Sequence, residues 1–321
     1  MKLGITFPNI ELGIDPDPIA RLAQGAEGLG YHFLMCSDHV IGADLDSRPD
    51  WRPFNGSPPV YTIEDAFHEP LTLFGYLAAM TKRIELATGI VVLPQRQTVL
   101  LAKQVAEIDM LSRGRIRLGA GIGWNDVEYQ SLGMDFHDRG QRSAEQIMLL
   151  RKLWTEPCVT FHGKWHTVEA AGINPLPSRP IPIWLGGTAD VVLRRIATLA
   201  DGWHIPSILK EEEIAEHLSR LFRYAEEAGR DPATIGIDGI IRMWGRTPEQ
   251  CAESLAMWQR LGATHVTFNT EADSHRKRLP TQQVEQAGYR LDFFTLEERL
   301  EALTRFMVAA PSYADIDGRF D

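Results

Sequence analysis

Ser37-Asp38-His39 sets an imidazole beside a carboxylate at the end of a short apolar run. An imidazole shuttles a proton near neutral pH, and a neighbouring carboxylate can set its tautomer or hold a ligand group. The same pair also suits a buried, hydrogen-bonded histidine of the scaffold. Two glycine-rich segments suggest a second chemistry. Gly119-Ala120-Gly121-Ile122-Gly123 lets backbone approach a flat ligand closely, or simply allows a tight turn. Trp184-Leu185-Gly186-Gly187-Thr188-Ala189 sets two glycines and a potential N-cap threonine before a helix over Asp190–Leu199. Free N–H groups and the helix dipole then converge on one point, a ready place for an anion. A plain capped strand-to-helix turn is the competing reading.

Other chemistries lack their residues. The chain has no GxxxxGK(S/T), HExxH, CxxC or GxSxG string, which removes P-loop nucleotidases, zincins, zinc ribbons and α/β-hydrolases. The GxGxG spacing at Gly119–Gly123 is not a dinucleotide fingerprint, because the third glycine is at the wrong offset and no acidic strand end follows. His162 and His166 stand four apart, but Pro157 and Gly163 make that stretch a poor helix, so no metal site is expected. Cys36, Cys158 and Cys251 are odd in number and far apart, as reduced structural thiols of a cytoplasmic protein would be.

These segments need a scaffold that brings them together. Short β-branched runs alternate with amphipathic stretches along the chain, the pattern of parallel strands joined by crossover helices. Eight strands are expected: Lys2–Phe7, Phe33–Ser37, Ile84–Leu93, Ile116–Gly121, Ile181–Leu185, Gly202–Pro206, Ile235–Met243 and His265–Asn269. Leu101, Val105, Ile108 and Leu111 form one helical stripe, and Ile147, Leu150 and Trp154 another, all expected in the core. With a last helix near Leu296–Val308, the count fits a single α/β domain over residues 1–321, a (β/α)₈ TIM barrel with insertion loops at its C-terminal face. Val40–His68, Thr155–Arg179 and Glu271–Phe294 exceed the minimal repeat, and the first and third are lid candidates.

A net charge of −10 argues against nucleic-acid or anionic-membrane partners. No apolar run is long enough to span a bilayer, and Met1-Lys2 leads straight into a strand rather than a signal peptide.

Taken in order, several strings resemble the luciferase-like flavin-dependent superfamily, in its F420-dependent oxidoreductase branch. They are Gly4-Ile5-Thr6-Phe7-Pro8, Glu27-Gly28-Leu29-Gly30-Tyr31, Ser37-Asp38-His39 and Thr81-Lys82-Arg83-Ile84-Glu85-Leu86-Ala87-Thr88-Gly89. Ala102-Lys103-Gln104, Asp109-Met110-Leu111-Ser112-Arg113-Gly114-Arg115, Gly121-Ile122-Gly123-Trp124, Trp184-Leu185-Gly186-Gly187 and Ala200-Asp201-Gly202-Trp203 complete the set. The resemblance implies a non-prolyl cis peptide near Thr88-Gly89-Ile90 behind the central ring of a cofactor. It implies that Gly121 and Gly123 flank that cofactor, that Gly186-Gly187-Thr188 bind its phosphodiester, and that Asp38 and His39 lie beside its ring.

The cofactor implied is F420, with FMN the alternative, acting on a small-molecule substrate under the loops. F420 would serve hydride transfer, with His39 as the catalytic proton carrier. FMN would serve a monooxygenase using O₂ and a separate reductase. The resemblance also implies a homodimer. Similar sugar-phosphate dehydrogenases place a glutamate where Trp124 stands, and a tryptophan where Ala43 and Asp44 stand. That departure argues against a sugar phosphate, makes Trp124 a substrate-pocket wall, and keeps open a barrel that binds flavin without turnover. Arg276-Lys277-Arg278 is a candidate clamp for the acidic tail of F420, or a solvated charge run.

Overall fold

The computed structural model describes residues 1–53, 59–206, 209–271 and 295–309. The alternation read from the sequence becomes a closed parallel barrel. Strands β1 (Lys2–Thr6), β2 (Phe33–Cys36), β3 (Glu85–Thr88), β4 (Val91–Val92) and β5 (Ile116–Gly121) form its first half. After the outlying pair β6 (Val159–His162) and β7 (Thr167–Ala171), the second half is β8 (Ile183–Gly186), β9 (Gly202–His204), β10 (Gly236–Arg242) and β11 (His265–Asn269). The order is β3-β2-β1-β11-β10-β9-β8-β5, and β3 pairs back onto β5 with Leu86 opposite Ile116, which closes the eight-stranded barrel. Every residue of β2 and β5 is buried, as expected for parallel strands covered on both faces.

The expected third strand, Ile84–Leu93, is two strands. β3 ends at Thr88, the Gly89–Ile90 peptide is cis, and β4 resumes against β5 with Val91 opposite Ala120. The other strand predictions hold to within two residues at each end.

Helices α1 (Pro16–Gly28), α2 (Pro70–Met80), α3 (Thr98–Leu111), α4 (Asp126–Ser131) and α5 (Arg139–Thr155) accompany the first half, followed by α6 (Asp190–Leu199), α7 (Glu211–Glu227), α8 (Pro248–Arg260) and α9 (Leu296–Ala309). Their starts are written locally. Pro16, Pro70 and Pro248 stand in first turns, where their missing N–H costs nothing. The carboxylates of Asp15 and Glu69 and the Thr247 hydroxyl accept from backbone N–H groups there. Of the two predicted stripes, Ile147, Leu150 and Trp154 are buried, as are Leu101, Val105 and Ile108. Leu111, the last residue of α3, is 58% exposed.

Thr155–Arg179 is not an irregular loop. It carries the antiparallel hairpin β6–β7, held to α5 by Glu145, whose carboxylate accepts from the backbone N–H groups of Lys164, Trp165 and His166. His162 and His166 lie apart on this hairpin, and His166 is paired with Glu145 and Thr98. No metal-binding group of His, Cys, Asp and Glu occurs among the described residues. Cys36 and Cys251 are buried, whereas Cys158 is exposed at the start of the hairpin and packs no core. Of the two lid candidates, the first is described except for 54–58. Residues 272–294, and with them Arg276, Lys277 and Arg278, lie outside the described residues. Among the described residues no helix is long and apolar enough to cross a membrane.

The barrel interior is not wholly apolar. Arg117, 1% exposed, holds its guanidinium between the rings of Phe33 and Trp184, at 4.6 and 4.5 Å, with its Nε donating to Glu85. Buried Asp238 lies 3.8 Å from that guanidinium and accepts from the Thr267 hydroxyl. The cation is thus sandwiched by aromatic faces and neutralised at its ends, which makes its burial tolerable.

Candidate functional site

A cavity of about 350 Å³ opens where the barrel strands end. The cis Gly89–Ile90 peptide forms one wall, Gly121, Gly123 and Trp124 after β5 a second, and Gly186 and Gly187 after β8 a third. These seven residues were nominated from the sequence, and the barrel brings them to one place. Glycine is required at Gly123 and Gly187, with φ of 64° and 115°, in the region that L side chains rarely adopt. At Gly121 the requirement is space, since a Cβ would come within 1.6 Å of Ile90 Cδ1.

Sequence reasoning missed part of the lining. Met35 of β2, His204 of β9, and Asp238 and Ile240 of β10 also face the cavity. His204 Nδ1 lies 2.9 Å from Asp238 Oδ2, and its buried Nε2 has no partner among the described residues, packed where a Cβ on Gly119 would come within 2.8 Å. The only local signal was position: His204 follows a Gly-Trp pair at a strand end, where barrel chemistry collects.

Three residues nominated as cofactor-binding stand off the cavity wall. Thr88 is fully buried and donates to the Gly119 carbonyl at 2.7 Å, tying β3 to β5. Asp38 is 2% exposed, and its carboxylate is taken up by Arg96 and the Val92 N–H. It thereby ties the end of β2 to the short strand β4. Thr188 does not cap α6. The extended residue before the helix is Ala189, at φ −60° and ψ 144°, and no side chain bonds the first turn.

His39 sits beside the cavity rather than in its wall. Its ring meets Trp124, which does line the cavity, with centroids 5.4 Å apart, and it also packs on Tyr61 at 4.1 Å and Phe67 at 5.0 Å. Tyr61 and Phe67 arrive on the long excursion after β2, so that loop builds an aromatic enclosure around the imidazole.

Beneath the ring lies a residue the sequence did not single out. Glu128 of α4 is fully buried, and its Oε1 is 3.2 Å from His39 Nδ1. The same oxygen accepts from the Val40 N–H at 2.9 Å and the Tyr61 hydroxyl at 2.8 Å, while Oε2 accepts from Gln95 at 2.9 Å. Burial pushes this carboxyl up. The hydrogen bond and charge of His39, then the bonds from Gln95 and Val40, outweigh it and hold Glu128 below the ordinary glutamate value. Tyr61 moves the other way, raised by burial and then by the adjacent Glu128 charge. The only local signal for Glu128 was a charged residue flanked by the apolar Val127 and Tyr129.

Comparison with known proteins agrees with this architecture. Residues 1–277 match the family model described as luciferase-like monooxygenase. An uncharacterized protein of Mycobacterium tuberculosis is 32% identical over 230 residues, covering 68% of this chain and 76% of its own. An F420-dependent glucose-6-phosphate dehydrogenase of Gordonia bronchialis is 28% identical over 301 residues, covering 88% and 82%. Among solved structures, an F420-dependent secondary alcohol dehydrogenase in complex with an F420-acetone adduct superposes with a TM-score of 0.69 over 85% of this chain and 94% of its own. Its 15% identity makes that a likeness of fold. Because the family match runs unbroken from β1 through β11 and takes in every wall of the cavity, the chain belongs to the luciferase-like monooxygenase family.

Proposed function

We propose that this chain is an F420-dependent oxidoreductase, moving a hydride between the deazaflavin and a small organic substrate. The observation that carries the reading is the cavity itself, a slot walled largely by glycine backbone and apolar side chains, with His204 and Asp238 in its lining and the His39 imidazole beside it. A flat ring fits such a slot. At Gly186 a Cβ would find nothing closer than 3.8 Å and would project into space a bound cofactor needs. Gly89, Ile90, Gly121 and Gly123 would hold the ring, and Gly186 and Gly187, with Thr188 beside them, would meet the phosphodiester. The cofactor, when bound, supplies the hydride chemistry.

The chain's own residues do the rest. His39 exchanges the accompanying proton, and Trp124, Tyr61 and Phe67 exclude water around it. Their apolar surface suits an uncharged substrate better than a phosphorylated one. Support for F420 comes from the named activity of the Gordonia relative. A homodimer in the cytoplasm goes with the same reading.

The family description favours a second reading, an FMN-dependent monooxygenase fed with reduced flavin by a separate reductase. Parallel equilibrium titrations with F420 and FMN, followed by turnover with and without O₂, separate the two. Tighter F420 binding and O₂-independent turnover are expected. Preference for FMN with consumption of O₂ would overturn the proposal in favour of the second reading.

A further inference from the structure

We propose that Glu128 is a positioning residue that imposes one tautomer on His39, with the proton on Nδ1, and so leaves Nε2 as the atom that exchanges protons at the cavity. The inference rests on the proton-carrier reading of His39 and deepens it.

The geometry is over-determined. Glu128 Oε1 lies 3.2 Å from Nδ1 and is fixed from two further directions by the Val40 N–H and the Tyr61 hydroxyl. The Tyr61 hydroxyl is itself held by the Asn125 amide, and Asn125 caps the very helix that carries Glu128. Gln95 occupies the other carboxylate oxygen. A carboxylate held by three other donors has no proton to give, so the hydrogen bond to His39 forms only if Nδ1 carries the proton. In free imidazole the two tautomers compete. Here one is selected by a group that never faces the cavity. Among the described residues Nε2 has no partner, and the ring is only 11% exposed on its side chain, so that atom is reserved for something that enters beside Trp124.

The consequence for proton movement is specific. When substrate is oxidised, F420 if bound would take up the hydride, and the proton passes to Nε2, giving an imidazolium whose Nδ1–H still points at the Glu128 carboxylate. When substrate is reduced, the same proton returns from Nε2. In both directions Glu128 keeps its own charge and exchanges nothing.

The hydrogen-bond pattern separates charge from geometry. In Glu128→Gln the side-chain oxygen can take the place of Oε1, which faces three donors, and the amide nitrogen can take the place of Oε2 if the Gln95 amide turns over. In Glu128→Leu no acceptor remains.

The test is ¹⁵N NMR of histidine-labelled, full-length protein without cofactor, above the pH at which imidazole is charged. Turnover and F420 affinity are measured on the same samples. Wild type is expected to show a protonated Nδ1 and an unprotonated Nε2 at His39, and Glu128→Gln to keep that pattern. Glu128→Leu is expected to lose it and to reduce kcat by roughly 100-fold, in the range of general acid–base effects, with F420 affinity and substrate KM within about threefold. A wild-type His39 protonated on Nε2 would overturn the proposal with no variant needed, even if Glu128→Leu fails to fold. A Leu variant with wild-type kcat would overturn it too. Because the tautomer is read without cofactor, a correct tautomer in a protein that never turns over F420 would strike at the proposed function and not at Glu128.

Discussion

The Asp38 carboxylate lies in a two-point grip of the Arg96 guanidinium, with Oδ1 2.6 Å from Nη2 and Oδ2 3.1 Å from Nε. Asp38 Oδ2 also accepts from the Val92 N–H, and Arg96 reaches on to Glu69 at the start of α2. One buried ion pair thereby joins the end of β2, the short strand β4 and the α2 cap.

Breaking this pair from the arginine side should hurt stability first. Arg96→Met strands a buried carboxylate, and an unfolding free-energy loss of about 3–5 kcal/mol is expected in urea titrations. Asp38→Asn leaves Arg96 with Glu69, so the loss is smaller, about 1–3 kcal/mol. Wild-type stability in both variants together with lost F420 affinity would return Asp38 to the cofactor.

Gly186, in the cavity wall, and Gly119, on β5 outside it, should respond differently to alanine. A Cβ at Gly119 would sit 1.9 Å from the Thr88 carbonyl oxygen, which is backbone and cannot step aside, so Gly119→Ala is expected to fail to fold or to unfold well below the wild-type temperature. Gly186→Ala meets nothing closer than 3.8 Å and should fold normally. Its methyl enters the slot and should weaken F420 binding by roughly 10- to 100-fold, from an overpacking cost of about 1–3 kcal/mol. Unchanged F420 affinity in a well-folded Gly186→Ala protein would move the phosphodiester elsewhere.

His39→Ala should separate binding from chemistry. Loss of a proton carrier predicts a kcat lower by about 10²- to 10⁴-fold, with cofactor affinity changed only a few-fold because the ring is off the cavity wall. Parallel loss of both would recast His39 as a support for Trp124, Tyr61 and Phe67.

The base of the barrel should give the protein a measurable pH dependence of stability. His265 packs edge-on to Trp184, and burial, then the Arg117 charge, push it down from 6.5 to about 2. Between those values the unfolded chain binds a proton that the folded chain refuses, so stability is full above the unfolded pKa and falls as pH drops through the window. The slope is at most about 1.4 kcal/mol per pH unit. Urea midpoints at pH 7 and pH 5 should show His265→Phe losing less stability than wild type, by about 2 kcal/mol. Identical losses in the two proteins would mean that His265 does not drive this dependence.

The sequence alone determined the barrel and much of the slot. Strand and helix periodicity is local, as are the proline and side-chain caps that start α1, α2 and α8, so the order of elements could be read directly. Gly121, Gly123, Gly186 and Gly187 were legible because glycine at a strand end is a statement about backbone, and backbone geometry is set within a few residues. Side-chain partnerships were not local. Glu128 stands 89 residues from His39, and Arg96 stands 58 from Asp38. No spacing rule links such positions; only closure of β3 onto β5 brings α4 beneath the end of β2. The tertiary structure therefore decided that Asp38 pairs with Arg96 and that Glu128 lies against His39. It also put His204 and Asp238 at the cavity, because which side chains share a buried space depends on how all eight strands close around it.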